Sequence, residues 1–268
     1  GTMSQSELRA GPQCATVERY FLDFNLSFKK PIGICFLFDQ HLRAEGNDAA
    51  FKDADTILET PGMYAVIGGD VIDNAIKFSP HNSASTPSQE WQVFTDYARK
   101  LSKRLIVVVA GNHDLWSYDL AGIDATGWVA RNVGARYARY AAYVSIDVSG
   151  TLYIVGVRHY YPGGGRNSPA AGAKRWIKES SRDIDVAVVG HRHTPGIEHF
   201  HWRNKWRSAI QAGTYQKTSD YAARCGFDES VKSTPVVILP GNGEPHITYS
   251  DLTEQAIKHL RYLRSTFK

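Results

Sequence analysis

Cysteine is scarce in this chain: there are three among 268 residues, at positions 14, 35 and 225, and none forms a Cys-x-x-Cys pair. An odd number at this spacing predicts neither a disulfide framework nor a zinc ribbon. Cys35 lies within an apolar run and is expected to be a small core residue. A reducing environment, and hence a cytoplasmic location, fits this usage best.

Long apolar runs are missing as well. No stretch approaches the roughly 18 apolar residues that a membrane-spanning helix needs. The first residues also lack the charged and then apolar segments of a secretory signal, and Gly1-Thr2 before Met3 is typical of a cloning scar. We therefore expect no signal peptide and no membrane partner.

Neither sign of charge dominates the sequence. A net charge of +4 and a pI of about 8.9 make the chain mildly basic, which is compatible with an anionic substrate but does not demand nucleic acid. The chain is 43% hydrophobic, enough to bury a full core. Residues 4–268 are therefore predicted to form a single domain.

The sequence does contain strand-like apolar runs that alternate with amphipathic helical segments. Predicted strands cover residues 31–38, 63–67, 105–110, 143–147, 152–157, 184–189 and 235–239, with a hairpin over 197–212 that turns near 203–205. Predicted helices cover residues 48–59, 86–103 and 170–181, and a last helix opens at 251–254. Thr86-Pro87-Ser88-Gln89 has the pattern of a capping box. This order predicts an α/β fold, whose site lies at the C-terminal ends of the strands.

Five polar motifs follow these apolar runs. They are Asp39-Gln40-His41, Gly69-Asp70-Val71-Ile72-Asp73, Gly111-Asn112-His113-Asp114, His159 and Gly190-His191-Arg192-His193. Carboxylate, amide oxygen and imidazole are ligands for divalent cations. Each motif alone is also explained by a turn aspartate or a loop histidine. Together they take five of the ten histidines and favour a metal-dependent enzyme; the other five histidines are expected to be structural or on the surface.

The order DxH, GDxxD, GNHD, H and GHxH resembles the calcineurin-like metallophosphoesterase superfamily, and the resemblance spans residues 39–193. It implies a four-layer α/β/β/α sandwich with two central mixed sheets and a dinuclear metal site between them at the strand ends. One metal would be held by Asp39, His41, Asp70 and His193, and the other by Asp70, Asn112, His159 and His191.

The resemblance also implies roles for residues that do not bind metal. His113 would donate a proton to the leaving oxygen, and Asp73 would orient the imidazole of His113. Asp114 would support these residues without contacting the metals. Two cations about 3.5–4 Å apart bind a bridging hydroxide and stabilise in-line attack on phosphorus. The ligand mix favours Mn²⁺ first, with Fe, Zn or Ni as alternatives.

Residues that differ from the motifs of particular subfamilies limit the class of substrate that we expect. Asn74-Ala75 and Asp114 replace residues typical of the protein serine/threonine phosphatases, and His113 replaces the arginine of the lipid A pathway hydrolases. The broad group that remains includes phosphodiesterases and nucleotidases. We expect a phosphodiesterase that acts on nucleic acid or nucleotides. The alternatives are a broad phosphomonoesterase and a non-catalytic binding scaffold. The presence of His113 argues against the scaffold.

Several residues near the motifs are candidates for contact with the substrate. They are Arg158, Arg166, Arg192 and Tyr160. Gly163-Gly164-Gly165 lacks the Lys-Ser/Thr of a phosphate-binding loop and is expected to be a flexible rim loop beside Arg166. The segment 202–207 interleaves indoles with cations, which suits stacked bases and phosphates. A twisted hairpin with exposed cations and with its tryptophans packed on the sheet explains the same segment.

Overall fold

The computed structural model describes residues 21–74, 76, 85–165, 167–216 and 232–267. Arg166, Cys14, Cys225, His81 and the N-terminal segment through residue 20 lie outside the described residues. None of the helices within the described ranges is long and apolar enough to span a bilayer.

Two six-stranded mixed sheets form the centre of the fold. The strands are β1 Phe21–Phe28, β2 Ile32–Leu37, β3 Met63–Ile67, β4 Leu105–Val109, β5 Tyr137–Ala138, β6 Ala141–Val148, β7 Thr151–Arg158, β8 Val186–Val189, β9 Gly196–Trp202, β10 Lys205–Gln211, β11 Val236–Leu239 and β12 Ile247–Tyr249. The first sheet has the order β1-β6-β7-β8-β10-β9, and the second has β12-β11-β2-β3-β4-β5. Every predicted strand and the hairpin are confirmed, with ends shifted by at most two residues.

Helices cover the outer faces of the sheets. They are α1 Asp48–Glu59, α2 Pro87–Leu101, α3 Asn112–Ala121, α4 Ala125–Asn132, α5 Ala171–Glu179 and α6 Glu254–Thr266. The predicted capping box is confirmed, because the Thr86 hydroxyl accepts from the Gln89 amide while the Gln89 side chain accepts from the Thr86 amide. Helix α2 ends before residue 103 because residues 102–104 tighten into a 3₁₀ turn.

Three hydrophobic clusters define the layers. One lies between the sheets and includes Phe36, Val144 and Ile210. A second packs α1, α2, α4 and α6 on the outer face of the β2-containing sheet, with the fully buried Cys35 among its members. The third packs Trp176 of α5 on the other sheet. Strand β2 is buried at every position because both of its faces are covered. The predicted α/β/β/α fold is confirmed.

The strand directions bring the polar motifs to one place. Strands β2, β3 and β4 run parallel in one sheet, and β7 and β8 run parallel in the other. Their C-terminal ends therefore share an edge, where Phe38 packs against Gly68 and Gly190. A side chain at either glycine would overlap the Phe38 ring. This close packing joins loops that come from both sheets.

Candidate metal centre

Much of the site is built on unusual backbone conformations. Asp39, His41, Asp70, His191 and His193 have φ values of 48°, 47°, 48°, 74° and 56°. This left-handed region costs a non-glycine residue on the order of 1 kcal/mol or more, so the surrounding structure must hold it. The loops are tied to one another by the Asp39 amide, which donates to the Gly69 carbonyl at 3.0 Å, and by the His41 amide, which donates to the Asp70 carbonyl at 3.1 Å.

Asp39, His41 and His193 form one group of convergent ligand atoms, all within 4.8 Å of one another. His193 Nε2 lies 3.2 Å from Asp39 Oδ1 and 3.4 Å from His41 Nε2. His41 Nδ1 donates to the Asp73 carboxylate at 2.9 Å, so the lone pair of a neutral His41 is on Nε2, which faces His193. Although burial alone would lower the pKa of His41, the bond to Asp73 and the nearby carboxylates raise it.

Asp70, His159 and His191 form a second group of the same size. His159 Nδ1 donates to the Gly68 carbonyl at 3.0 Å, which leaves Nε2 at 3.1 Å from both Asp70 Oδ2 and Asn112 Oδ1. Asn112 Oδ1 is also 2.8 Å from His191 Nδ1. Burial would lower the pKa of His159, but the charges of Asp70 and Asp39 raise it to about 10.

The two groups are in contact. The His191 amide donates to Asp39 Oδ2 at 2.8 Å, and His159 Nε2 is 3.9 Å from Asp39 Oδ1. The structure thus brings all seven residues that were expected to bind metal into one cluster: Asp39, His41, Asp70, Asn112, His159, His191 and His193.

The donor set fits divalent cations. With Nδ1 of His159 committed to a carbonyl, Nε2 of the neutral ring presents a lone pair to the oxygens of Asp70 and Asn112, which are acceptors as well. His41 Nε2 likewise faces another imidazole nitrogen. Buried acceptors that point at one another are favourable only with positive charge between them. A proton supplies that charge when no cation is bound, and carboxylates with imidazoles are suitable ligands for a transition metal.

His113 lies beside the cluster, and its side chain is 27% exposed. Its amide donates to Asp70 Oδ1 at 2.9 Å, and its ring Nδ1 donates to the Asp73 carbonyl at 2.7 Å. The ring stacks on Trp116 with the centroids 4.0 Å apart, and burial lowers its pKa. Its Nε2 is 4.0 Å from Asp70 Oδ2. The ring is therefore held in one orientation, with Nε2 near the ligands.

Asp73 contacts different partners from those expected. Its carboxylate binds His41 Nδ1 at 2.9 Å and Arg43 Nε at 2.5 Å, whereas only its backbone carbonyl contacts His113. The carboxylate therefore orients a proposed ligand and not the proposed proton donor. Arg43 was missed by sequence reasoning, which had no signal for it beyond its place two residues after His41.

Asp114 also acts on the backbone. Its carboxylate accepts from the amides of Val71 and Gly111 at 3.0 and 2.8 Å, so it joins the loops that carry Asp70 and Asn112. Burial, followed by the charge of Asp70, raises the pKa of Asp114 to about 7. Asp114 thus supports the ligand loops and makes its contacts with amides, away from the ring of His113.

Two of the residues expected to touch substrate are at the rim of the cluster. The Tyr160 ring is 41% exposed and meets His191 edge to face at 5.0 Å. The Arg192 guanidinium lies 5.7 Å from the centroid of Tyr160. An aromatic face and a cation therefore flank the second ligand group.

Arg158 is not brought to the rim. Side chains alternate along β7, so Arg158 and His159 project to opposite faces of the sheet. The Arg158 guanidinium lies 5.7, 5.1 and 5.6 Å from the rings of Phe21, Tyr161 and Trp176. Its adjacency to His159 in sequence therefore gave the wrong location.

The indole-rich hairpin lies at the other end of the sheet. Its turn precedes β10, whereas the ligand loops adjoin the C-terminal end of β10, six residues or roughly 20 Å away. Arg207 is buried and paired with Asp183 and Asp185, and Lys205 also binds Asp183. These contacts commit both cations to ion pairs with neighbouring aspartates, whereas Trp206 is 62% exposed and is not packed on the sheet.

Two further residues support the ligand loops and were not predicted. Gln211 at the end of β10 donates from Nε2 to the Gly190 carbonyl at 2.6 Å, and the Thr214 hydroxyl donates to the Asp39 carbonyl at 2.7 Å. Both are buried, and both act on main-chain atoms. Such contacts cannot be predicted from a short sequence motif, because every residue type carries the same main-chain carbonyl acceptor.

Comparison with known proteins gives a family and several similar folds. A family model described as calcineurin-like phosphoesterase matches residues 39–228, more than half of the chain. Among solved structures, the chain is similar to vacuolar protein sorting 29 from Cryptosporidium parvum, at 15% identity and TM-score 0.47, covering 83% of this chain and 100% of that one. It is similar to the calcineurin-like phosphoesterase YfkN from Bacillus subtilis, at 12% identity and TM-score 0.43, covering 88% and 99%. It is also similar to phosphopantetheinyl hydrolase from Mycobacterium tuberculosis, at 11% identity and TM-score 0.38, covering 69% and 91%. No curated protein matches the chain.

Proposed function

The chain belongs to the calcineurin-like phosphoesterase family, and on that premise we propose that it is a metal-dependent phosphoesterase. The observation that carries the proposal is the convergence of acceptor atoms in two adjoining ligand groups, each with two buried members, and with His113 beside them. Each group would hold one divalent cation, Mn²⁺ being the first expectation. Asp70 would be shared between them, and Asn112 would complete the second group.

The chemistry divides between the cations and the protein. Divalent cations in these groups would polarise the phosphoryl oxygens and lower the pKa of an attacking water. His113 would supply the proton for the leaving oxygen. Because Nδ1 of His113 stays on the Asp73 carbonyl, the proton that the imidazolium donates is the one on Nε2. Asp73 and Asp114 would keep the ligand loops in place through the contacts described above.

The rim residues support a phosphodiester substrate. The guanidinium of Arg192 would pair with phosphate oxygens, and the exposed ring of Tyr160 would stack on a planar group such as a base. Both lie beside His191 of the second ligand group. We therefore propose nucleotides or nucleic acid as the substrate class. We also propose that residues 4–268 act as a single domain, because the two sheets share one hydrophobic cluster.

The first experiment compares two model esters after chelation and reconstitution with Mn²⁺, Ni²⁺ or Zn²⁺. We expect bis-(p-nitrophenyl) phosphate to be hydrolysed faster than p-nitrophenyl phosphate. If neither ester is turned over with any of the three metals, the chain is not an enzyme of this type. Turnover of the monoester alone would support the phosphomonoesterase alternative.

A second experiment separates the ligands from the proton donor. Asp70→Ala is expected to lose metal, whereas His113→Ala should keep metal and lose most turnover of esters with poor leaving groups. His201→Ala, an exposed histidine on β9, is the matched control and should change neither. Loss of metal in His113→Ala would show that a ligand was mistaken for the acid. Turnover of single-stranded DNA, RNA and cyclic nucleotides at two salt concentrations would then sort the substrates, because polyanion binding weakens steeply with salt.

A further inference from the structure

The peptide group that joins Asp73 to Asn74 has a hydrogen-bond partner at each end. Its carbonyl accepts from His113 Nδ1 at 2.7 Å, and its N–H donates to Glu90 Oε2 at 2.8 Å. Glu90 belongs to α2 and has no exposed surface. The proposed proton donor is thus connected through one peptide group to a buried carboxylate on another element.

Asn74 ties the same peptide to the helix that carries His113. Its Nδ2 donates to the His113 carbonyl at 2.7 Å and to the Ser117 hydroxyl at 3.0 Å, and the residue is fully buried with φ of 44°. Residues 73 and 74 therefore contact both the ring and the main chain of His113. This double contact fixes the ring relative to α3.

The hydrogen bond to Glu90 strengthens the Asp73 carbonyl as an acceptor for His113. A hydrogen bond from a peptide N–H to an ionised acceptor polarises the peptide, and a polarised carbonyl is a stronger acceptor for its own donor. The side chain of Asp73 cannot take this part, because it is occupied by His41 and Arg43. Glu90 is thus a second carboxyl group connected to the Nδ1 side of His113, through the peptide, beside Asp73, whose carboxylate oxygen lies within 4.8 Å of a His113 ring nitrogen.

We propose that Glu90 is a positioning residue for His113 and that it acts through the Asp73–Asn74 peptide. It holds the imidazole in the Nδ1–H form and keeps Nε2 turned to the site of the leaving oxygen. This inference rests on the proposed function, in which His113 is the proton donor.

Glu90 also has a structural contact that the test must separate. Its Oε1 accepts from the Ser85 hydroxyl at 2.8 Å, and this contact anchors the chain just before α2. Ser85→Ala removes that contact and leaves the Asn74 bond in place, which makes it the matched control. Glu90→Gln keeps an oxygen acceptor for the Asn74 amide and replaces the second carboxyl oxygen by an amide nitrogen.

The first readout needs no turnover. Ring ¹⁵N spectra of the metal-free protein, at a pH above the lowered pKa of His113, report which nitrogen of the neutral His113 ring carries the proton, and His113→Ala assigns the signal. Wild type and Ser85→Ala should show His113 in the Nδ1–H form. Glu90→Ala should show a mixture of the two forms.

The second readout is kinetic. Glu90→Ala should lower kcat for an ester with a poor leaving group by about 10–100-fold, with KM and metal content little changed, because a general acid contributes roughly 10²–10⁴-fold and a misoriented one loses part of that. Glu90→Gln should recover part of the loss, and Ser85→Ala should stay near wild type. An unchanged His113 signal in Glu90→Ala, or equal losses in Glu90→Ala and Ser85→Ala, would overturn the inference.

Two outcomes need separate treatment. If Glu90→Ala does not fold, Glu90→Gln is compared with Ser85→Ala, and equality in both readouts overturns the inference. If wild type turns over no ester, the proposed function fails, while the nitrogen spectra still decide whether Glu90 sets the form of His113.

Discussion

The free energy of unfolding should decrease on mild acidification because of His246, a part-buried histidine outside the ligand groups. His246 Nε2 lies 2.7 Å from the Ser208 hydroxyl, which is itself 2.9 Å from His199 Nδ1. Burial, with smaller effects from His199 and Arg207, lowers the pKa of His246 to about 4. An unfolded histidine titrates near pH 6.5.

The sign and size follow from the two pKa values. As the pH falls through 6.5 the unfolded chain takes up a proton that the folded chain refuses, so the free energy of unfolding decreases until the folded pKa is reached. Between pH 7 and pH 5 this difference amounts to about 2 kcal/mol, and below pH 4 no more is lost. The loss therefore occupies the window from about pH 7 to about pH 4.

The assay is urea unfolding of metal-free protein at pH 7, 6 and 5, for wild type and His246→Gln. Glutamine keeps a partner for Ser208 but does not titrate, so wild type should lose about 2 kcal/mol more than the variant over this range. His201→Gln controls for the removal of a histidine as such. If wild type and His246→Gln lose stability in parallel to within about 0.5 kcal/mol, His246 is not the group that resists protonation.

Four further outcomes can be measured on the same protein. Asp114→Ala leaves two buried amides without an acceptor, so it should destabilise by about 1–3 kcal/mol in urea and weaken metal binding by calorimetry. Gly68→Ala places a methyl group against the Phe38 ring and should cost about 1–3 kcal/mol, seen as a lower Tm. Arg207→Met removes the 2.9 Å ionic partner of the buried Asp185, which keeps only Lys205 at 3.9 Å and the Ile154 amide, and it should destabilise by up to about 3–5 kcal/mol. The KM of the folded fraction should not change, because the hairpin lies away from the site; a raised KM would show that the hairpin contacts substrate. Chelation should lower the Tm, because a cation at 100 times its Kd adds about 2.7 kcal/mol to the folded state; an unchanged Tm would count against tight metal binding.

Sequence patterns predicted the fold where both periodicity and chemistry were local. Strand β2 has a continuous apolar run because it is covered on both faces, and α2 begins at a capping box. Strand β1 was not predicted, although Phe24, Leu26 and Phe28 alternate inward, because the segment before it offered no boundary signal. Helix α3 was also missed: its sequence, which opens with Asn112-His113-Asp114, has almost no apolar face.

The site residues also differ in whether a local motif or a distant contact determines their role. The seven ligand candidates were found because each follows a strand and carries its own chemistry. Partners were harder to assign: Asp73 was matched to His113 by the family pattern, whereas in space its carboxylate lies on His41. Arg158 was placed at the site by adjacency alone, and strand alternation sends it to the other face. The proposed role of Glu90 could not be predicted from the sequence, because it depends on the backbone amide of Asn74, 16 positions away.

The division of the ligand loops between two sheets has a consequence for how the pocket is formed. Asp39 and Asp70 follow strands of one sheet, whereas His159 and His191 follow strands of the other. Their oxygens and nitrogens therefore meet only after the inter-sheet cluster around Phe36 and Val144 has packed. Contacts between residues 154 positions apart, such as Asp39 and His193, form late because a long loop must close first. In a refolding experiment, uptake of a cation would mark the docking of the two sheets, and an unfinished chain with a single sheet would hold half of a binding site.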